Sequence, residues 1–233
     1  MRRSAFRHLA AALIFISALF CCLAYRTPLL RPSLAHRVRR PAVQMTLSSP
    51  SSEPSVLFVC LGNICRSPTA EAVLRKLAQD KGLRVEIDSC GTGGGSDNWY
   101  KPDGFSYHEG EPSDERMSTA AKKRGIRLTS RSRPLRPDDF DRFDLVIGME
   151  EKNRQEIFRA ARAWGRLDEA VRKTVLMTDY CREYGDVTAV PDPYYGGQKG
   201  FEKVLDLLED ACEGLLQKLV KEREPSAASE RRM

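Results

Sequence analysis

Histidine is nearly missing from this chain, with three in 233 residues. Two of them, His8 and His36, stand within the first fifty positions, which leaves His108 alone in the remainder. A Cys–His nucleophilic pair or a histidine-based metal site therefore has little to be built from. Acidic residues are absent from those first fifty positions, which hold eight Arg. The eight belong to 38 Lys+Arg set against 32 Asp+Glu, so the rest of the chain carries 30 basic and 32 acidic residues. The formal net charge of +6 is thus a property of the leading segment, and it gives no support for a nucleic-acid-binding domain. No GxxxxGK[ST] run occurs, which excludes a nucleotide P-loop. Internal repeats are lacking too. Nor do the seven Cys suggest a disulfide framework. Cys21 and Cys22 fall in an apolar run, the other five are odd in number, and the chain is long enough to build its own core. A reducing compartment fits better.

Residues 1–24 read as a signal-like targeting segment. A basic start leads into Leu9 to Ala24, an apolar run of 16 residues. That is short for a membrane span, it ends in small residues, and Ala24 marks the expected cleavage point. Residues 25–53 are rich in Arg, Ser and Pro and free of acid until Glu53, in the manner of an organelle transit peptide. A secretory signal with a disordered linker, or a signal anchor, is the plainer reading. Together the two segments predict a two-part plastid address of the kind used by algae with complex plastids. Cytoplasmic and secretory destinations are the alternatives. After leader removal no stable membrane association is expected.

Residues 54–221 amount to one domain, and 222–233 to a polar tail expected to be disordered. Apolar, β-branched Val56–Cys60 predicts a first strand and the segment after it a helix to about Asp80, closed by Gly82. Arg84–Ser89 reads as a second strand. A Gly-rich loop then runs from Gly91 to Pro112. Helix patterning returns from Ser113 or Asp114 to Arg124, with Gly125 as the cap. Asp144–Met149 is the third strand, Glu150 to about Trp164 a helix, and Val175–Met177 a short fourth strand. An amphipathic helix from about Gly200 to Val220 ends the domain. This alternation predicts an α/β fold: a single doubly wound, four-stranded parallel sheet flanked by helices. Its site would lie at the carboxyl ends of the strands.

That is where Val56 to Pro68, VLFVCLGNICRSP, passes from strand through a tight loop into a helix. Ser67 suits the N-cap, Pro68 the first helical position, and Glu71 the first turn. Backbone N–H groups converge in such a turn, and with the helix dipole they form an anion site. Cys60 at its start is expected to be a thiolate near neutral pH, held by those donors and by Arg66. Arg66 can grip two phosphate oxygens at once. A thiolate beneath a cradled phosphate is poised for in-line attack, giving a phosphocysteine. An inert buried Cys is the ordinary fate of a free thiol. The Cys-x5-Arg-Ser spacing between strand and helix argues against it here.

CLGNICRSP near the start of the domain and DPYYGG (Asp192 to Gly197) near its end resemble the low-molecular-weight protein tyrosine phosphatases, from about Ser55 to Val220. The resemblance implies Cys60 as nucleophile, Arg66 as phosphate ligand, and Leu61, Gly62, Asn63, Ile64, Cys65 and Ser67 as the phosphate-binding loop. It implies Asp192, fixed between Pro191 and Pro193, as general acid and then base. Asn63 would hold the strained loop, and Ser67 would both cap the helix and bond the thiolate. Cys60 and Cys65 would form a reversible disulfide under oxidation. Tyr194 and Tyr195 would rim the cleft, and Ile64 would favour phosphotyrosine over phosphoarginine. Tyr107 would be the opposite wall, with Trp99, in an insertion of about a dozen residues, as its rival. Arg124 stands where some members carry His, so the support of Asn63 must differ. The implied substrate is a phosphotyrosine protein or a small aryl phosphate, with no cofactor and no metal. An arsenate reductase on the same fold, or a catalytically dead phosphate-binding module, are the competing readings.

Overall fold

Six successive buried residues, Ser55–Cys60, form strand β1. Burial on both faces is what a central parallel strand requires, and it explains a run of apolar side chains without polar alternation. A computed structural model describes residues 53–194 and 197–230. The signal-like segment, the transit-like linker up to residue 52 and Tyr195 lie outside the described residues.

The elements follow as α1 (Arg66–Asp80), β2 (Glu86–Gly91), α2 (Glu115–Lys123), α3 (Asp139–Arg142) and β3 (Leu145–Gly148). After them come α4 (Glu151–Ala163), α5 (Leu167–Lys173), β4 (Thr174–Leu176) and α6 (Gly197–Glu230). The sheet order is β2-β1-β3-β4, and every pairing is parallel. Val56 pairs with Ile87 on one side and Leu145 on the other. Side chains of β1 alternate between two cores. Val56 and Phe58 pack with Leu74 of α1, Met117 of α2 and Leu205 and Leu208 of α6. Leu57 and Val59 pack with Phe140 of α3, Ile157 of α4 and Ala170 of α5. Helices thus cover both faces, and the fold is the doubly wound sheet that the pattern predicts.

Some boundaries differ from expectation for physical reasons. Strand β2 begins at Glu86 and ends at Gly91, two residues late, because its extent is set by pairing from Ser55 to Cys60. The short helices α3 and α5 carry too few apolar residues to show a 3.6-residue period. Helix α6 begins at Gly197 and continues through Glu230, so the tail expected to be disordered from residue 222 starts as helix. Among the described residues, no helix is long and apolar enough to cross a membrane.

Candidate active site

Strand β1 delivers Cys60 to the carboxyl edge of the sheet, and the chain must turn at once to enter α1. Asn63 makes that turn with φ at 53°, the one positive φ outside glycine among the described residues. Asn and Asp are among the few residues that tolerate this left-handed region. Its side chain is bonded on every side. Nδ2 donates to Ser67 Oγ (3.0 Å) and Ser89 Oγ (2.8 Å), and Oδ1 accepts from the Arg133 N–H (2.9 Å). Ser89 in turn donates to buried Glu71 at 2.6 Å, and Arg75 closes the far side of that carboxylate at 2.7 Å. Gly91 is required where the loop crosses β2, since a Cβ there would stand 2.9 Å from Leu61 O. Arg124 takes no part. It bonds Glu202, Asp206 and Glu209 on α6 instead.

The frame holds the thiol between two donors. Cys60 Sγ accepts from the Asn63 N–H at 3.2 Å and from Ser67 Oγ at 3.0 Å. Ser67 does not cap the helix. The N-cap is Cys65, without a side-chain cap bond, and α1 starts one residue before Ser67. The Ser67 hydroxyl is therefore spent on the thiol and on Cys90 O (3.2 Å). Pro68 is the third helical residue, where its missing N–H costs nothing, because the first four have no intrahelical partner. Glu71 lies beyond the first turn, so it serves the Ser89 bond rather than the helix dipole.

Arg66 is 2% exposed. Its NH1 donates to Glu150 Oε1 (2.7 Å) and Val190 O (3.2 Å), and its NH2 donates to Asp192 Oδ2 (2.8 Å). Burial opposes the guanidinium charge, but Cys60, Asp192 and Glu150 outweigh it and push its pKa up. The charge is thus locked in place. Asp192 also accepts from the Tyr194 N–H at 3.1 Å through its other oxygen. A cavity of about 170 Å³ opens above the thiol, lined by Cys60, Leu61, Gly62, Ile64, Cys65, Arg66, Gly94, His108, Asp192 and Tyr194. Cys65 is a free thiol, pushed up strongly by burial, then by Asp114 and Cys60.

The profile of the low molecular weight phosphotyrosine protein phosphatase family matches residues 55–225. The chain belongs to this family. A Synechocystis sp. relative bearing the protein-tyrosine-phosphatase name is 45% identical over 169 residues, covering 72% of this chain and 97% of its own. The low molecular weight phosphotyrosine protein phosphatase of Gallus gallus is 37% identical over 166 residues, covering 70% and 94%. A crystal structure of a protein tyrosine phosphatase from Entamoeba histolytica, with Hepes in its active site, superimposes with a TM-score of 0.63. It is 42% identical, covering 73% of this chain and 99% of its own. The chain is accordingly a protein tyrosine phosphatase, and the cysteinyl-phosphate route is characteristic of its family.

In this phosphatase Tyr194 lines the cavity as expected, whereas Tyr107 and Trp99 do not. Trp99 is 5% exposed and packs edge-on against Tyr100 and Trp164 in the second core. It anchors the inserted segment and is not a wall. Tyr107 is 59% exposed and stands edge-on to Phe105, outside the cavity lining. The next residue, His108, lines the cavity. Its ring lies on Gly62, where a Cβ would come within 2.9 Å, and its Nδ1 is 2.7 Å from Glu111 Oε2. Tyr194 stands opposite, 40% exposed. Glu150 was not foreseen either, although its place just past β3, at the sheet's carboxyl edge, was a usable signal.

Proposed function

We propose that this phosphatase hydrolyses phosphotyrosine with Cys60 as nucleophile, Arg66 as phosphate clamp and Asp192 as general acid and base. The observation that carries the assignment is the buried Arg66 guanidinium, fixed by Glu150 and Val190 and bonded to Asp192, at the mouth of the Cys60 loop. An entering phosphoryl group takes the NH2 donor of Arg66 that is bonded to Asp192 Oδ2. The Cys60 thiolate, supported by the Asn63 N–H and the Ser67 hydroxyl, attacks phosphorus in line. The S–P bond forms as the P–O bond to the aryl oxygen breaks, and protonated Asp192 gives its proton to that oxygen. Water then attacks phosphorus, Asp192 takes a proton from it, and sulfur departs as thiolate with release of inorganic phosphate. Ile64 and Tyr194 give a flat aryl ring apolar faces to lie against.

The test is metal-free hydrolysis of p-nitrophenyl phosphate by the chain and by its Cys60→Ser variant. Turnover is expected to vanish in the variant while inorganic phosphate still binds; turnover near wild type in Cys60→Ser would sink the mechanism. Thiol-dependent arsenate reduction, assayed alongside, would instead identify the oxidoreductase reading. We propose further that residues 1–52 are a two-part plastid address, supported by their acid-free, Arg-rich composition behind a short apolar run.

A further inference from the structure

The first turn of α2 is tied to both the thiol loop and the acid loop, to the first by the backbone of its N-cap Asp114 and to the second by the side chain of Arg116. Asp114 caps α2 by accepting from the N–H groups of Arg116 (2.9 Å) and Met117 (3.2 Å). Its own N–H donates to Ile64 O at 2.8 Å, which ties the cap to the loop that carries Cys60. The Arg116 guanidinium folds back onto the same carboxylate, with Nε at 3.1 Å and NH2 at 2.7 Å. Its remaining terminal nitrogen, NH1, donates to Tyr194 O at 3.1 Å. Its Cζ also stands 5.0 Å from the Tyr194 ring centroid and 5.1 Å from that of Phe201 on α6. Tyr194 is the residue whose N–H holds Asp192 Oδ1. The contacts therefore run without a break from Ile64 through Asp114 and Arg116 to Tyr194 and Asp192.

We infer that Arg116 is a positioning residue for proton delivery, which sets the acid loop at a fixed height above the thiol loop. This rests on the reading of Asp192 as general acid. The fork is needed because two edges of one planar group bond two elements at once, which a Lys ammonium cannot reproduce. Contact of the Arg116 guanidinium with the Tyr194 and Phe201 rings adds a cation–π attraction that holds it there. Arg116 touches neither the transferred phosphoryl group nor Cys60. It acts through the carboxyl it helps to place.

A purely structural role and a positioning role separate in the leaving-group dependence of kcat/KM. The full chain, Arg116→Ala, Arg116→Lys, Asp192→Asn and the Arg116→Ala/Asp192→Asn double variant are compared on aryl phosphates from p-nitrophenyl to phenyl phosphate. A phenolate that leaves easily needs little proton assistance, and a poor one needs all of it. Arg116→Ala is expected to lose about tenfold more on phenyl phosphate than on p-nitrophenyl phosphate, a fraction of what a general acid contributes. Arg116→Lys is expected to recover part of that selectivity. In the double variant, Arg116→Ala adds no further selective loss to Asp192→Asn, because the two act through one proton. A smaller folded fraction lowers every substrate equally, so partial unfolding does not imitate the effect. Uniform loss in Arg116→Ala, or a further selective loss in the double variant, overturns the inference. If Asp192→Asn itself shows no leaving-group selectivity, the acid assignment is what fails.

Discussion

Asn63 holds a backbone angle that L residues avoid, and three of its atoms make four bonds to neighbours: two from Nδ2, one to Oδ1 and one from its own N–H to Cys60 Sγ. Asn63→Ala keeps the strained angle, takes one donor each from the Ser67 and Ser89 hydroxyls and leaves the Arg133 N–H without the Asn63 acceptor, so it is expected to cost about 2–4 kcal/mol. Asn63→Gly loses the same bonds but relieves the angle, and should unfold about 1 kcal/mol later than the Ala variant. Urea denaturation of the two separates strain from bonding. Equal stability would mean that the left-handed turn carries no strain. Cys60 and Arg66 could be read from their spacing between strand and helix, Asp192 only through the family resemblance, and the structure brings all three to one cavity. The rest of the cleft wall could not be read this way. Nothing in a loop fixes which of two adjacent rings turns inward, and His108 rather than Tyr107 does so through its lie on Gly62 and its bond to Glu111. Trp99 shows a related limit: a large ring in an inserted loop fits a slot wall and a second core equally well until its neighbours Tyr100 and Trp164 are placed.

At the scale of elements, α2 is steered by its first turn. The Arg116 hydrogen bond, the cap donors and the Arg116 charge hold the Asp114 carboxyl below its ordinary value against a raising effect of burial. A carboxylate with a depressed folded value adds stability above its unfolded value and loses it as pH falls through the folded one. Wild type and Asp114→Asn should therefore differ in melting temperature by a constant gap from pH 8 to 5, and the gap should start to narrow below about pH 4 and go on closing as pH falls through the lowered folded value. A gap that persists unchanged in acid would show that the carboxylate charge is not what α2 uses. The start of α2 was readable only as Ser113 or Asp114, and the structure makes Asp114 the cap; its stop at Gly125 was readable as a letter. Strand β2 was readable as a strand but not in its limits, which its partner sets. Helices α3 and α5 were invisible, being four and seven residues long and mostly polar.

Across the whole molecule, one strand organises two cores and one site. β1 sends alternate side chains to opposite helical layers and ends in the thiol, so the parallel sheet order places the reactive edge where β1 and β3 finish. That architecture followed from the alternation of strand and helix patterns along the chain. The plastid address proposed for residues 1–52 is tested on its own. Fused to a fluorescent protein in an alga with a complex plastid, it should deliver fluorescence to the plastid interior; retention in the cytosol or secretion would refute that destination.

The partners of Arg66 lie far along the chain, Glu150 at a separation of 84 residues and Asp192 at 126. During synthesis the nucleophile leaves the ribosome early, yet the groups that fix its phosphate clamp are translated much later. Activity is thus the last property the nascent polypeptide acquires, and an unfolded or half-made chain is inactive without any inhibitor.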